Sequence, residues 1–490
     1  MPDPMPDASA LRQRAAEAGQ EHVFRFWNDL SADGRRRLLS HLAEIDFETL
    51  ERLIETHVRH PEQPAVPANL EPAPFIPLPS TDADRAERDR MCDRGAALLA
   101  EGKVAAFTVA GGQGTRLGYD GPKGAFPVGP VSGRPLFQIF AEGLLAARRA
   151  FGAPIPWYIM TSETNDEATR AFFDEHDHFG LPTEDVHLFR QGMMPAVDFQ
   201  GRLILSAPDR LARSPDGHGG SLLALARSGM LGDMADRGIE HISYFQVDNP
   251  LVPPVDPVFL GYHADAGSEM SSKMARKRDP GEKLGVFCLA GGVLRVIEYS
   301  DLPEDLAEAR RDDGSLRFEA GSIAIHAIAR TLVERLTAGS AFALPFHRAE
   351  KKIPYVDEEG RTVTPDEPTG LKFERFIFDA LPLAANPVVL EIDRSREFSP
   401  VKNADGPDSP ATARRDMVRL AKRKLEEAGV RVPRDGEGEP AVRIEISPLT
   451  ARTADELKAL CRERGITEIT QDTYIGPDLP RGGLPRPPRS

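Results

Sequence analysis

Cysteine is scarce: 3 residues in 490, Cys92, Cys288 and Cys461, far apart and with no C-x-x-C pair. That spacing excludes a disulfide scaffold and a Cys-rich zinc site, and it fits a reducing cytoplasm. No cluster of His and Cys suggests a transition metal. No apolar run approaches the ~20 residues of a membrane span. The start Met1-Pro2-Asp3-Pro4 lacks the basic and apolar regions of a signal peptide. Basic charge is in deficit, with Lys+Arg 61 against Asp+Glu 76 and a formal net charge of −15. A field of that sign repels nucleic acid and anionic membranes, so neither is an expected partner. It also repels an anionic small molecule, so any phosphate site must rest on a local cluster of donors. There is no repeat at a fixed period. What remains is 40% hydrophobic and 28% charged, the balance of a globular protein of about two to four domains.

Four spans are expected. Residues 1–80 form a helical N-terminal region and a connector. Residues 11–60 carry apolar positions at helical spacing, with Ser31 and Asp46 placed as helix N-caps. Seven prolines between Pro61 and Pro79 favour an extended connector without regular structure. Residues 81–405 form the largest domain, expected to hold the functional site. There, short apolar runs (Val104–Val109, Ile155–Met160, Val186–Phe189, Ile242–Val247) alternate with helical stretches (Pro135–Ala150, Thr164–His176, Ser221–Arg227). This alternation predicts an α/β fold with a doubly wound, mostly parallel, Rossmann-like sheet, in which ligands bind at the carboxyl ends of the strands. Residues 406–475 form a small α+β domain: a helix over Ala411–Ala428, a strand over Val442–Ile446 and a helix over Ala454–Arg464. Residues 476–490, rich in Pro, Gly and Arg, form a flexible tail.

Directly after the first strand comes Ala110-Gly111-Gly112-Gln113-Gly114-Thr115-Arg116-Leu117-Gly118, followed by Pro122-Lys123. Glycines can turn backbone N–H groups toward one point and leave room for a phosphate. Arg116 adds a planar cationic fork and Lys123 a point charge. A plain tight turn would not need either cation. The loop is not a Walker A motif, because Gly124 rather than Ser or Thr follows Lys123, and the dinucleotide fingerprint fails at Leu117.

The stretch G-G-x-G-T-R-L-G with a downstream Pro-Lys resembles the signature of nucleotidyltransferases that join a sugar 1-phosphate to a nucleoside triphosphate. Further motifs narrow this to a resemblance to the UDP-N-acetylhexosamine pyrophosphorylases of the eukaryotic type. They are Ala18-Gly19-Gln20-Glu21-His22, Trp157-Tyr158-Ile159-Met160-Thr161-Ser162, Gln191-Gly192-Met193, Val247-Asp248-Asn249, Lys351-Lys352-Ile353-Pro354-Tyr355-Val356-Asp357, Glu397-Phe398-Ser399-Pro400 and Glu445-Ile446-Ser447-Pro448-Leu449. The resemblance implies a cytoplasmic uridylyltransferase that joins UTP and N-acetylglucosamine 1-phosphate (or another N-acetylhexosamine 1-phosphate) and releases pyrophosphate. It places UTP on Val109, Ala110, Gly111, Gly112, Lys123, Gln191, Gly217, Asp248 and Lys372. Arg116 and Lys123 are catalytic, on the departing pyrophosphate. Asp248, at the carboxyl end of its strand, is the ligand for Mg²⁺, which typically takes one or two carboxylates plus substrate phosphates. His218, Glu298, Ser322 and Lys402 hold the sugar phosphate.

Two positions depart from the hexosamine pattern. Pro215-Asp216-Gly217-His218-Gly219-Gly220 has His218 where that family has asparagine, and Ala320-Gly321-Ser322-Ile323 has Ser322 where it has asparagine. A histidine after that glycine is a feature of UDP-glucose and broad UDP-sugar pyrophosphorylases, the alternative reading on another sugar. A non-catalytic sugar-nucleotide-binding protein is a further alternative, but it would not need Arg116, Lys123, Asp248 and Lys402 together.

Overall fold

The computed structural model describes residues 7–61, 67, 69–339 and 342–478. These residues form two compact units. The smaller takes its residues from Met1–Pro67, Gln191–Leu223 and Phe342–Asp379. The larger takes them from Ala68–Arg190, Ala224–Ala341 and Ala380–Ser490.

In the smaller unit, helices Ala8–Glu17, Ala32–Ala43 and Phe47–Ile54 begin where side chains cap them. Ser31 Oγ accepts from Gly34 N–H and Asp46 accepts from Thr49 N–H, satisfying amides that the first turn leaves unpaired. The buried faces of these helices (Leu38, Leu39, Leu42, Leu50, Leu53) share one core with Val197, Leu203, Leu205, Leu211, Leu371 and Phe373. The Ala18–His22 motif docks these helices rather than doing chemistry. The buried Gln20 amide donates to Gly201 C=O (2.9 Å) and accepts from Leu203 N–H (2.8 Å). His22 Nε2 lies 2.7 Å from Leu203 C=O.

The larger unit is built on a ten-stranded sheet. Val186–Arg190, Trp157–Thr161, Val104–Val109 and His241–Gln246 run parallel in that order, with Val186 opposite Trp157, Trp157 opposite Ala106, and Ala105 opposite Ile242. Beyond them the antiparallel Ala320–Ala329 joins His241–Gln246 to Met270–Arg276 and Val286–Ala290. One face of the parallel part, with Ala106, Trp157, Ile159 and Phe245, packs on Phe137 and Phe140 of helix Leu136–Phe151. On the other face, Phe107 and Tyr158 are fully buried, and the Tyr158 hydroxyl donates to Asp233 of helix Met230–Asp236. The sheet is therefore covered on both sides, a doubly wound α/β fold. Among the described residues, no helix is long and apolar enough to cross a membrane.

The proline-rich connector departs from its expectation, because Leu70–Pro72 pairs antiparallel with Val286–Ala290 at the sheet margin. An edge position tolerates Pro72, which has no N–H to offer a ladder. Residues 62–66 and 68 of that connector and 479–490 of the expected tail lie outside the described residues. Near the C-terminus, Ile444–Ile446 pairs parallel with Thr473–Ile475, and helices Pro410–Glu427 and Ala454–Arg464 cover the pair. The Glu445–Leu449 motif fastens this part to the sheet domain. Glu445 accepts from Val131 N–H (2.9 Å), Ser132 N–H (2.8 Å) and Ser132 Oγ (2.6 Å), while Ser447 Oγ donates to Glu142 (2.6 Å).

Helices Asp82–Ala100 and Pro257–Asp265 meet through reciprocal glycines. A Cβ on Gly95 would lie 1.8 Å from Pro257 O, and one on Gly261 would lie 1.8 Å from Met91 O. Alanine ordinarily stabilises a helix interior by up to about 1 kcal/mol over glycine, but here overpacking, at about 1–3 kcal/mol or more, dominates. Thermal and urea denaturation should therefore find Gly95→Ala destabilised. Gly232→Ala, whose Cβ would meet nothing within 4 Å on helix Met230–Asp236, should be neutral or stabilised. Equal effects of the two substitutions would refute the close-packing account.

Candidate active site

Three features of the larger unit start at the carboxyl ends of adjacent parallel strands. After Val104–Val109 comes the glycine-rich loop. Gly114 N–H donates to Gly121 C=O (2.9 Å), Tyr119 N–H to Gly114 C=O (3.1 Å) and Lys123 N–H to Gly112 C=O (3.0 Å). Gly114 cannot be replaced without disturbance, since a Cβ there would stand 2.7 Å from the Tyr119 ring. The short turn Thr115–Leu117 presents Arg116 to solvent. Lys123 lies along Gly112, its Cε 3.9 Å from where a Cβ would be.

After Trp157–Thr161 comes Asn165, which the sequence did not single out. Its buried side chain donates from Nδ2 to Ala110 C=O (2.8 Å) and Gly112 C=O (3.1 Å), while Oδ1 accepts from Ser162 N–H (2.8 Å). Asn165 thus occupies carbonyls of the loop and fixes its path. A polar residue just past a strand's carboxyl end was the only signal available for it.

After His241–Gln246 comes Asp248. Its Oδ2 lies 3.8 Å from Lys123 Nζ, with the two side chains 13% and 16% exposed. Asp248 C=O accepts from Val401 N–H (2.8 Å), which sets Lys402 on the segment paired to Asp248's backbone. Glu298 and Ser322 are neighbours of Gly285. Gly285 C=O accepts from Ser322 N–H (2.8 Å), and a Cβ on Gly285 would meet Glu298 Oε1 at 3.1 Å.

The smaller unit carries the remaining candidates. Gln191 Nε2 lies 3.4 Å from Asp216 Oδ1 and 3.4 Å from Gly217 C=O. Gly217 has φ +85°, and a Cβ there would sit 2.3 Å from Arg375 O, so this left-handed, closely packed position requires glycine. Gly219 N–H donates to Arg375 C=O (2.8 Å) and Arg375 N–H to Asp216 C=O (2.8 Å), laying the Pro215–Gly220 loop on residues 375–377. His218 Nδ1 accepts from Ile377 N–H (3.1 Å), which leaves Nε2 as the protonated nitrogen. Burial against Phe376 and Phe378, with His347 nearby, pushes its pKa down to about 4. His218 is thus neutral at pH 7 and has a single donor to offer. Lys372, in strand Gly370–Glu374, faces away from the core that takes its neighbours Leu371 and Phe373. Arg116 and Lys372 have no ion pair among the described residues. No group of three or more His, Cys, Asp or Glu suited to a metal occurs among them either.

A family model described as UTP–glucose-1-phosphate uridylyltransferase matches residues 78–428. The chain belongs to this family. Similarity to individual proteins extends beyond that span. The chain is similar to the UDP-N-acetylhexosamine pyrophosphorylase-like protein 1 of Xenopus tropicalis, with 39% identity over 96% of this chain and 98% of the relative. It is 37% identical to the UDP-N-acetylglucosamine diphosphorylase 1 of Arabidopsis thaliana over 93% of this chain and 91% of that one. Among solved structures, the uridine diphosphate N-acetylglucosamine pyrophosphorylase of Trypanosoma brucei in complex with inhibitor superposes with a TM-score of 0.81. It is 27% identical and covers 98% of this chain and 100% of its own.

Removing the Asn165 amide leaves Ala110 C=O and Ser162 N–H without this partner and Gly112 C=O with the Lys123 N–H alone, a cost of about 1–3 kcal/mol for a buried group. Asn165→Ala should lower unfolding free energy by that amount and weaken UTP binding in calorimetric titration. Wild-type UTP affinity in a folded variant would show that the amide does not shape the loop.

Proposed function

We propose that this chain transfers the uridylyl group of UTP to N-acetylglucosamine 1-phosphate, giving UDP-N-acetylglucosamine and pyrophosphate in the cytoplasm. The observation that carries the reading is the strand-end arrangement of a glycine-rich loop, Lys123 across it and Asp248 3.8 Å from the Lys123 ammonium. The names of relatives that match nearly the whole chain support the sugar.

Val109, Ala110, Gly111, Gly112 and Lys123 of the larger unit receive the triphosphate, Gln191 the uracil edge, and Gly217 and Lys372 the rest of the nucleotide. Lys402, Glu298, Ser322 and His218 receive the sugar phosphate. The single Nε2–H of His218 suits a phosphate oxygen or an acetamido carbonyl, both acceptors. All of these residues lie within 81–405, the span read as catalytic. An oxygen of the sugar phosphate, already ionised at pH 7, attacks the α-phosphorus in line, so no general base is required. The chain's contribution is positioning and charge stabilisation, with Arg116 and Lys123 meeting the charge that grows on the leaving pyrophosphate. The lone carboxylate of Asp248 fits Mg²⁺, which shares its coordination between protein and substrate phosphates and, when bound, neutralises phosphate charge.

The same chemistry on glucose 1-phosphate is the second reading, favoured by His218 and by the description of the matching family model. Pyrophosphate release with UTP and a panel of sugar 1-phosphates separates the two. A kcat/KM for N-acetylglucosamine 1-phosphate about tenfold or more above that for glucose 1-phosphate is expected of a site that hydrogen-bonds the acetamido group. The reverse preference removes the hexosamine assignment, and no turnover of any sugar removes the enzyme. Arg116→Ala should lower kcat by about 10²–10³ while UTP affinity changes little. A kcat within a few-fold of the parent would show that Arg116 does not meet the leaving group.

A further inference from the structure

Lys273 lies in the middle of strand Met270–Arg276 and is only 1% exposed. Its ammonium meets two carboxylates from distant parts of the chain. Asp256 Oδ2 is 2.6 Å away, and Glu397 accepts a second hydrogen bond. The positive field of Arg88 also acts on both acids. A buried ion cluster of this kind is not needed to fill space, since apolar side chains of similar volume often stabilise a core as well or better. What apolar side chains cannot do is hold two specific backbone segments at one point.

Those two segments lead to the candidate site. Asp256 ends the loop that begins at Asp248, and it caps helix Pro257–Asp265 by accepting from Val258 N–H (3.0 Å). Glu397 opens the segment that carries Lys402. The same two segments meet again through Asn249, which donates to Glu397 C=O (2.7 Å) and accepts from Ser399 N–H (3.1 Å), and through the bond from Val401 N–H to Asp248 C=O (2.8 Å). Lys273 fastens the far end of this seam.

We propose that Lys273, with Asp256 and Glu397, is a positioning residue for the transfer, holding the 397–402 segment and its Lys402 in register with Asp248. The proposal rests on the functional reading above for the roles of Lys402 and Asp248. Lys273 touches no substrate in this scheme. Its effect passes through the seam to the group that receives the sugar phosphate.

Glu397→Gln removes one charge while keeping the side chain's shape, and Lys273→Met removes the clamp and leaves two carboxylates facing each other. In full-length Glu397→Gln, KM for the sugar 1-phosphate should rise about tenfold or more, the scale on which small misplacements act. The Kd for UTP alone should stay within about twofold. Hydrogen exchange should speed up at the Ser399 and Val401 amides and stay unchanged across Val104–Val109. Lys273→Met should show the same pattern more strongly. If it does not fold, Glu397→Gln decides alone. Unchanged exchange at Ser399 and Val401, or a loss of UTP affinity as large as the rise in sugar KM, overturns the proposal. If the wild-type chain turned over no sugar 1-phosphate, the functional reading would fail, while the exchange data would still judge the clamp.

Discussion

The larger unit depends on one constraint, the in-register parallel pairing of Val186–Arg190, Trp157–Thr161, Val104–Val109 and His241–Gln246. Parallel strands in register end together, so the loops that follow them emerge along one margin of the sheet. The glycine-rich loop, Asn165 and Asp248 are separated by up to 138 positions in the chain (110 to 248), yet they are brought together by that ladder. The ladder in turn needs both faces covered. Phe137 and Phe140 do this on one side, and Tyr158 with Asp233 does it on the other.

Charge is handled locally in a chain whose total is −15. Lys123 sits against Asp248, Lys273 between two carboxylates, and Glu445 among N–H and O–H donors. At these shielded positions the effective dielectric is low, so a neighbour at 3–4 Å outweighs a diffuse surface field. Arg116 and Lys372 stand apart from this pattern, because no ion pair neutralises them among the described residues.

Motifs spread along a chain need not all be chemical. Gln20 and His22 at one end of the family resemblance bind backbone atoms of residues 201 and 203. Glu445 and Ser447 at the other end bind Val131, Ser132 and Glu142. These are docking contacts, in which a buried amide or carboxylate must find every partner it loses from water. The central motifs, around Gly111–Lys123, Asp248 and Glu397–Lys402, lie at strand ends or on segments bonded to them.

The four parallel strands, the helices after the first three of them and the capped helices at Ser31 and Asp46 were legible from residue pattern alone, because apolar period and capping chemistry act over a few neighbours. So was the gathering of glycines and two cations, Arg116 and Lys123, in one loop after the first strand. Tertiary structure decided the rest. The strand Leu70–Pro72 inside a proline-rich stretch exists only because Val286–Ala290 offers it an edge. Burial against Phe376 and Phe378 keeps His218 neutral, and the amide of Ile377, 159 positions away, fixes which nitrogen carries its proton. Asn165 matters because Ala110 and Gly112 lie across from it in the loop that follows a neighbouring strand, and Lys273 because Asp256 and Glu397 converge on it. In each case the residue's role is set by partners distant in sequence, and only folding brings those partners within hydrogen-bonding range.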